Sequence, residues 1–134
     1  MAEIDDQDVQ ELLTGPNFGV VSSHNPNGTI LSTVVWVGYF DGELSINTAA
    51  GRPWCRNVER NPNLTLLVTD RDNGNRFVEI RGTAVVTAEG AVDHVQAVAR
   101  KYTGRDYTWP TGREKQRLKF IVTPEKIRYF SAPR

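Results

Sequence analysis

The sequence is poor in the residues from which metal sites and covalent catalytic sites are commonly built. Its 134 residues include one cysteine, Cys55, and two histidines, His24 and His94. A single cysteine cannot form an intrachain disulfide, which is typical of a reducing compartment. No HExxH, CxxC or paired-histidine spacing occurs, so a zinc site is not expected. We expect both histidines to be ordinary surface or boundary residues, and Cys55 to have no catalytic role.

Net charge and long apolar runs are also lacking. Sixteen lysines and arginines balance sixteen aspartates and glutamates, so no overall field attracts nucleic acid or an anionic membrane. No apolar run approaches the roughly 18 residues that span a bilayer. The acidic opening MAEIDDQDVQ is unlike a secretory signal. These features predict a cytoplasmic protein that binds neither nucleic acid nor membrane, and any anion site must be local.

Strand-forming segments dominate the remaining pattern. Short helices are predicted at residues 5–14, 51–61 and 88–102. The strands do not alternate regularly with helices, and neither GxGxxG nor GxxxxGK[ST] occurs, which argues against a nucleotide-binding parallel sheet. We predict one mainly β domain over residues 1–134, in which six or seven antiparallel strands close into a small barrel with peripheral helices.

Two strand assignments in this scheme are specific. The run TILSTVVWVGYF, residues 29–40, is β-branched and aromatic throughout and predicts one long central strand. Near the end of the chain, Pro124 is expected to divide two short strands, RLKFIVT and KIRYF.

The stretch INTAAGRPWCRNVERNP, residues 46–62, contains a candidate anion site. Arg52 and Arg56 lie four positions apart near a predicted helix start, where guanidinium groups, backbone N–H groups and the Thr48 hydroxyl can hold a phosphate. The small residues at 49–51 let a ligand approach the main chain. The alternative interpretation is a solvated connector that carries arginines for solubility.

The preceding strand suggests where a flat ligand would lie. Ser32 and Thr33 offer hydroxyl groups among apolar neighbours, and Trp36 offers a flat ring, although ordinary core packing also accounts for a tryptophan there. A planar heterocycle along this strand could extend its phosphate to Arg52. No residues form a pattern suited to covalent or acid–base catalysis, so we assign no catalytic side chain and expect any chemistry to belong to a cofactor.

A polar loop with aromatic residues, YTGRDYTWPTGRE, follows the last predicted helix. Two interpretations remain open, a cover over the ligand and its substrate, or a surface loop whose aromatic residues pack on the barrel. The residues concerned are the aromatic Tyr102, Tyr107 and Trp109, and the cationic Arg105 and Arg113.

Several fragments, in order, resemble a known family. They are FGVVSSHNPNGTILSTVVWVGYFDGELSINTAAGR, RNVERNPNLTLLV and VEIRGTAVV. Over nearly the whole chain they are similar to the flavin-binding split β-barrel superfamily of pyridoxamine 5′-phosphate oxidase, and most similar to its actinobacterial branch of F420-dependent oxidoreductases. The resemblance implies an FMN-binding-like split barrel and a homodimer with cofactor at the subunit interface. It also implies hydride transfer between reduced deazaflavin and a conjugated small-molecule acceptor.

The resemblance also assigns cofactor contacts. It places Ser32, Val34 and Trp36 along the tricyclic ring, and the polar residues of 46–62 around the phosphate-bearing tail. The residues so expected to surround the tail are Asn47, Thr48, Arg52 and Arg56, and the further expected cofactor contacts in this segment are Trp54 and Asn57.

Trp54 departs from the family pattern, because many relatives carry a lysine at this position. It either stacks on the ligand or packs into the dimer, and the lost cation leaves F420 and FMN both open as the cofactor. The alternatives are therefore an FMN-binding reductase of the same fold, or a non-catalytic carrier of a flavin, F420 or haem. The ending KIRYFSAPR lacks the pattern of a true pyridoxamine phosphate oxidase, so vitamin B6 synthesis is not expected.

Overall fold

The computed structural model describes residues 2–109 and 116–134. Within these ranges the helices are α1 (Gln7–Thr14), α2 (Pro53–Arg60) and α3 (Ala91–Thr103). The strands are β1 (Gly19–His24), β2 (Ile30–Val35), β3 (Val37–Phe40), β4 (Glu43–Ala49), β5 (Asn63–Asp70), β6 (Asn73–Thr87) and β7 (Arg117–Ser131).

All seven strands form one sheet in the order β2-β1-β5-β6-β7-β4-β3, with every neighbouring pair antiparallel. Strands β2 and β3 follow one another in the chain yet occupy opposite edges, so the sheet must curl until those edges meet. The concave face buries alternate apolar side chains such as Val21, Leu66 and Phe120 against α1 and α2. The predicted mainly β split barrel with peripheral helices is confirmed.

The three predicted helices are present, and each begins two or three residues later than expected. Helix α1 starts after Asp6 at the N-cap position, and α2 starts with Pro53, whose missing N–H is harmless in a first turn. None of the described helices is long and apolar enough to cross a membrane.

The prediction of one central strand over residues 29–40 was wrong. The run is divided at Trp36 into β2 and β3, which are edge strands. Side chains of α3 explain the division, because the Val37 N–H donates to the Tyr102 hydroxyl at 2.9 Å and the Val37 carbonyl accepts from Lys101 Nζ at 2.6 Å. Helix side chains thus replace a neighbouring strand at the point where the chain changes edges.

The expected break at Pro124 was also wrong, because β7 runs continuously past it. Pro124 pairs with Gly82 and Lys126 pairs with Arg81, so Glu125 is the extra residue of a bulge. A Cβ at Gly82 would lie only 2.1 Å from the Thr123 carbonyl oxygen. Glycine at position 82 therefore allows the two backbones to approach closely, and the proline is accommodated without ending the strand.

Candidate functional site

An open groove of about 290 Å³ lies where the end of β2, strand β4, the start of α2 and the start of β7 come together. Its described lining residues are Phe18, Thr33, Val34, Val35, Trp36, Asn47, Thr48, Arg52, Trp54, Tyr107 and Arg117. The groove therefore combines the two segments that the sequence singled out, residues 29–40 and 46–62.

Two guanidinium groups give the groove its charge. Arg52 occupies the N-cap position of α2, and Arg117 begins β7, next to Ala49 at the end of β4. Among the described lining residues these are the charged ones, and both are positive. Burial lowers the pKa of Arg117, and the nearby charge of Arg52 lowers it further, while the Tyr107 phenol raises it. A bound anion would offset this repulsion, so the groove is suited to a phosphate or carboxylate.

Arg117 is restrained on two sides. Its Nε donates to Asn47 Oδ1 at 2.8 Å, and its guanidinium carbon lies 5.1 Å from the centre of the Tyr107 ring. Tyr107 is itself fixed to α3, since its backbone N–H donates to Gln96 Oε1 at 2.8 Å. The cation is thus held in place by side chains from β4 and from the segment after α3.

Other lining residues of the groove are apolar and aromatic. Val34 is exposed on β2, while the Trp36 indole stacks on Tyr102 with ring centres 5.1 Å apart and planes 8° from parallel. Trp54 is buried against Phe120, with ring centres 4.8 Å apart. A flat ligand would therefore meet hydrophobic surface beside the cationic end.

A family model described as pyridoxamine 5′-phosphate oxidase matches residues 5–131. The chain belongs to the pyridoxamine 5′-phosphate oxidase family.

Solved structures with the fold of this pyridoxamine 5′-phosphate oxidase family member share little of its sequence. One, named F420 reductase, is 23% identical with a TM-score of 0.77, over 89% of this chain and 94% of the other. A conserved hypothetical protein from Mycobacterium tuberculosis is 23% identical with a TM-score of 0.77, over 98% of this chain and 85% of its own. General stress protein 26 from Bacillus anthracis is 17% identical with a TM-score of 0.70, over 92% of each chain. No curated protein matches the sequence significantly.

In this family member the groove unites only part of the expected cofactor-binding set. The expected residues that line it are Val34, Trp36, Asn47, Thr48, Arg52 and Trp54. Three others lie outside its lining. Ser32 faces Ser22, with their hydroxyl oxygens 3.0 Å apart, and Arg56 is exposed on α2. Asn57 is buried and donates to Ser23 Oγ and Asn25 Oδ1, so its amide is used within the fold.

The three aromatic residues of the loop, for which a ligand cover and packing on the barrel were both considered, have different surroundings. Tyr107 lines the groove, and Trp109 packs edge-on against it with ring centres 5.0 Å apart. Tyr102 belongs to α3, and its hydroxyl donates to the Asn17 carbonyl oxygen at 2.6 Å. Arg105 lines a neighbouring cavity, and Arg113 lies outside the described residues.

Sequence reasoning missed Arg117 and misjudged His94. Arg117 opens a strand whose pairing with β4 cannot be read from nearby sequence, so no local signal marks it. His94 was expected at the surface or a boundary, but its side chain is buried between α3 and β4. It contacts Ser45 Oγ at 2.7 Å and Asn47 Nδ2 at 2.9 Å, and burial is the main cause that lowers its pKa to about 4. His24 is half-buried at the end of β1.

Cys55 lies in the core rather than in the groove lining. Burial raises the pKa of its thiol to about 11, and the hydrogen bond from Sγ to Glu59 Oε1, 3.2 Å long, raises it further. The thiol is therefore protonated at neutral pH and is a poor nucleophile. Over residues 2–109 and 116–134, no group of three or more His, Cys, Asp or Glu side chains is arranged to hold a metal ion.

Proposed function

We propose that this protein is an F420-dependent oxidoreductase that transfers a hydride between the reduced deazaflavin and a conjugated, fairly apolar small molecule. The observation that carries the proposal is the groove itself, in which two cations lie next to an aromatic wall and no described lining residue is acidic. A flat ring with a phosphate-bearing tail matches that division of charge and apolar surface. The 23% identical structure named F420 reductase supports the choice of cofactor within the family.

The cationic end would hold the phosphate of the tail. Arg52 and Arg117 supply guanidinium donors, and the Thr48 hydroxyl is a further donor on the same lining. Pro53 has no N–H, so the backbone donors of the first turn of α2 begin at Trp54, and the helix dipole there favours an anion. Arg117 also supplies a cation that Trp54 does not, which supports a phosphate-bearing ligand and leaves the choice between F420 and FMN to experiment.

The aromatic end would hold the ring. Val34 and Trp36 present apolar surface, and Trp36 is kept in position by its stack with Tyr102. When bound, the cofactor supplies two-electron hydride chemistry. None of the described lining residues has a carboxylate, imidazole or thiol, so the protein acts by binding, orienting the reactants and excluding water.

A neighbouring cavity is the proposed place for the acceptor. It measures about 340 Å³ and shares Trp36 and Tyr107 with the groove. A molecule in this cavity would therefore lie beside the ring-binding wall. Thr108 and Arg105 add hydrogen-bond donors to its lining, which can orient an acceptor that carries carbonyl oxygens.

The active form is proposed to be a homodimer with the cofactor at the subunit interface. The groove is open, and its volume lies just below the roughly 300–1,000 Å³ that ligand pockets usually have. Two apolar residues of its lining, Val34 and Phe18, are 66% and 51% exposed, which favours a second copy that covers them. Light scattering should give twice the chain mass. Val34→Glu should weaken the dimer, whereas Val92→Glu, at an exposed site on α3, should not.

Parallel titration of the purified protein with F420 and with FMN tests the proposed cofactor. We expect F420 to bind at micromolar concentration or below and FMN to bind more weakly. A preference for FMN would retain the groove and change the enzyme to an FMN-dependent reductase. Binding of F420 without turnover of any quinone, enone or tetrapyrrole would make the protein a carrier, and failure to bind either cofactor would disprove the proposal.

A further inference from the structure

The half-buried amide of Asn47 connects His94 to the cationic end of the groove. The Asn47 side chain donates from Nδ2 to the Ala91 carbonyl oxygen at 2.8 Å and to His94 Nδ1 at 2.9 Å. Its Oδ1 accepts from Arg117 Nε at 2.8 Å. A backbone carbonyl can only accept and the Nε of arginine can only donate, so the orientation of the amide is fixed from both ends.

This orientation also fixes the state of the His94 ring. Both Nδ2 hydrogens of Asn47 are donated, so His94 Nδ1 must be an unprotonated acceptor. The neutral ring then carries its hydrogen on Nε2 and donates it to Ser45 Oγ at 2.7 Å. A proton added at Nδ1 would set two donors against each other and release Asn47.

The surroundings of His94 keep the ring neutral and leave it little room. The residue is 8% exposed, and the cations that face it, Lys119 and Arg117, outweigh the opposing effect of Glu43. Gly38 approaches it so closely that a Cβ there would lie 3.1 Å from Nε2. The ring therefore has one protonation state and one tautomer at neutral pH.

We propose that His94 is a positioning residue for the anion-binding groove, acting on Arg117 through Asn47. His94 is not among the described residues that line the groove. Its Nδ1 accepts from the Asn47 amide, and the amide oxygen accepts from Arg117 Nε, so an anion would be bound by the terminal nitrogens of the guanidinium, which also lie near the Tyr107 phenol. The imidazole thereby helps to hold the guanidinium at the groove, where burial and the charge of Arg52 disfavour a cation. The inference deepens the proposed cofactor site and rests on it.

Two substitutions of His94 separate the roles of its two ring nitrogens. His94→Asn keeps an acceptor at the place of Nδ1, whereas His94→Gln keeps a donor at the place of Nε2 and loses the acceptor for Asn47. In ligand-free protein, the ¹⁵N–¹H signal of Arg117 Nε, assigned by its loss in Arg117→Lys, reports the bond to Asn47. We expect the signal to persist in wild type and His94→Asn, and to broaden or move toward the free-arginine position in His94→Gln.

Cofactor affinity should change in parallel with the Arg117 signal in these variants. We expect His94→Gln to weaken F420 or FMN binding about three- to tenfold, as one lost hydrogen bond would, and His94→Asn to stay within about twofold of wild type. Equal losses in both variants, with an unchanged Arg117 signal, would overturn the inference and leave His94 with a packing role. If wild type binds neither cofactor, the proposed function fails. The Arg117 signal and its response to inorganic phosphate then still test the inference. If the two variants give the same signal and the same response, the inference is disproved.

Discussion

The rings of Trp36 and Tyr102 stack almost in parallel, with centres 5.1 Å apart and planes 8° from parallel. Trp36 joins the two edge strands β2 and β3, and Tyr102 is on α3. The Tyr102 hydroxyl accepts from the Val37 N–H and donates to the Asn17 carbonyl oxygen. One tyrosine therefore holds the closing point of the barrel through both its ring and its hydroxyl.

Tyr102→Phe isolates the contribution of that hydroxyl. The stack with Trp36 is kept, but the Val37 N–H and the Asn17 carbonyl lose their partner. We expect the free energy of unfolding to fall by about 1–3 kcal/mol in urea titrations. Tyr39→Phe on β3 is the matched control, since its hydroxyl takes no part in this contact. Equal stability of the two variants would contradict the assigned role.

Substitutions of Arg52 and Arg56 test whether cofactor affinity depends on the groove or on any arginine near the start of α2. The sequence predicts that both bind the cofactor tail, whereas only Arg52 lines the groove. We expect Arg52→Ala to weaken F420 binding by about 1.5–3 kcal/mol, because a charge-assisted hydrogen bond is lost. Arg56→Ala should change it by less than about 0.5 kcal/mol. Fluorescence titration at fixed ionic strength measures both, and a larger loss at Arg56 would move the phosphate out of the groove.

Gly82→Ala should destabilise the fold strongly. Its new Cβ would meet the backbone of Thr123 at the bulge, and backbone cannot move as a flexible side chain does. We expect a loss of about 1–3 kcal/mol in the free energy of unfolding. Gly74→Ala lies on the same strand, and nothing is within 4 Å of a Cβ there, so it should be nearly neutral. Comparable losses would show that the bulge adapts easily.

Cys55 should be unreactive in the folded protein. A buried thiol whose pKa is about 11 presents little thiolate at pH 8. We expect a thiol reagent such as dithionitrobenzoate to label it slowly in buffer and rapidly in denaturing urea. Cys55→Ser should retain cofactor-dependent turnover. Rapid stoichiometric labelling without denaturant would contradict the burial of the thiol.

Lowering the pH should decrease the free energy of unfolding, because His94 is neutral in the folded protein. Its pKa is about 4 when folded and about 6.5 when unfolded, so the unfolded chain binds more protons between these values. The stability that His94 contributes is complete above pH 6.5 and falls by up to ~3 kcal/mol as the pH drops to about 4. Urea titrations of wild type and His94→Gln at pH 4–7 should differ by this slope. Parallel pH profiles would contradict the low pKa.

Local sequence signals predicted much of the fold but only part of the site. The three helices were predicted to within a few residues, and the strand pattern predicted the mainly β class. The division at Trp36 could not be predicted, because the groups that bind Val37 come from Tyr102 and Lys101, far along the chain.

The site, like the fold, could be predicted only where its residues are close in sequence. Thr48 and Arg52 lie in one short segment, so the composition of that segment predicted an anion site. Arg117 and His94 reach the groove or its support only through the pairing of β4 with β7 and the packing of α3. Such long-range register depends on the whole set of buried faces rather than on any short window.

Trp36 lines the groove and also joins the two edge strands, so a change at this position alters ligand contacts and barrel closure together. Variation in ligand preference should therefore be easier to obtain at Thr33, Val34 and Tyr107, which line the groove without joining the sheet edges. In a laboratory selection for a new acceptor, we expect accepted substitutions to accumulate at those three positions, while Trp36 changes only after stabilising mutations elsewhere.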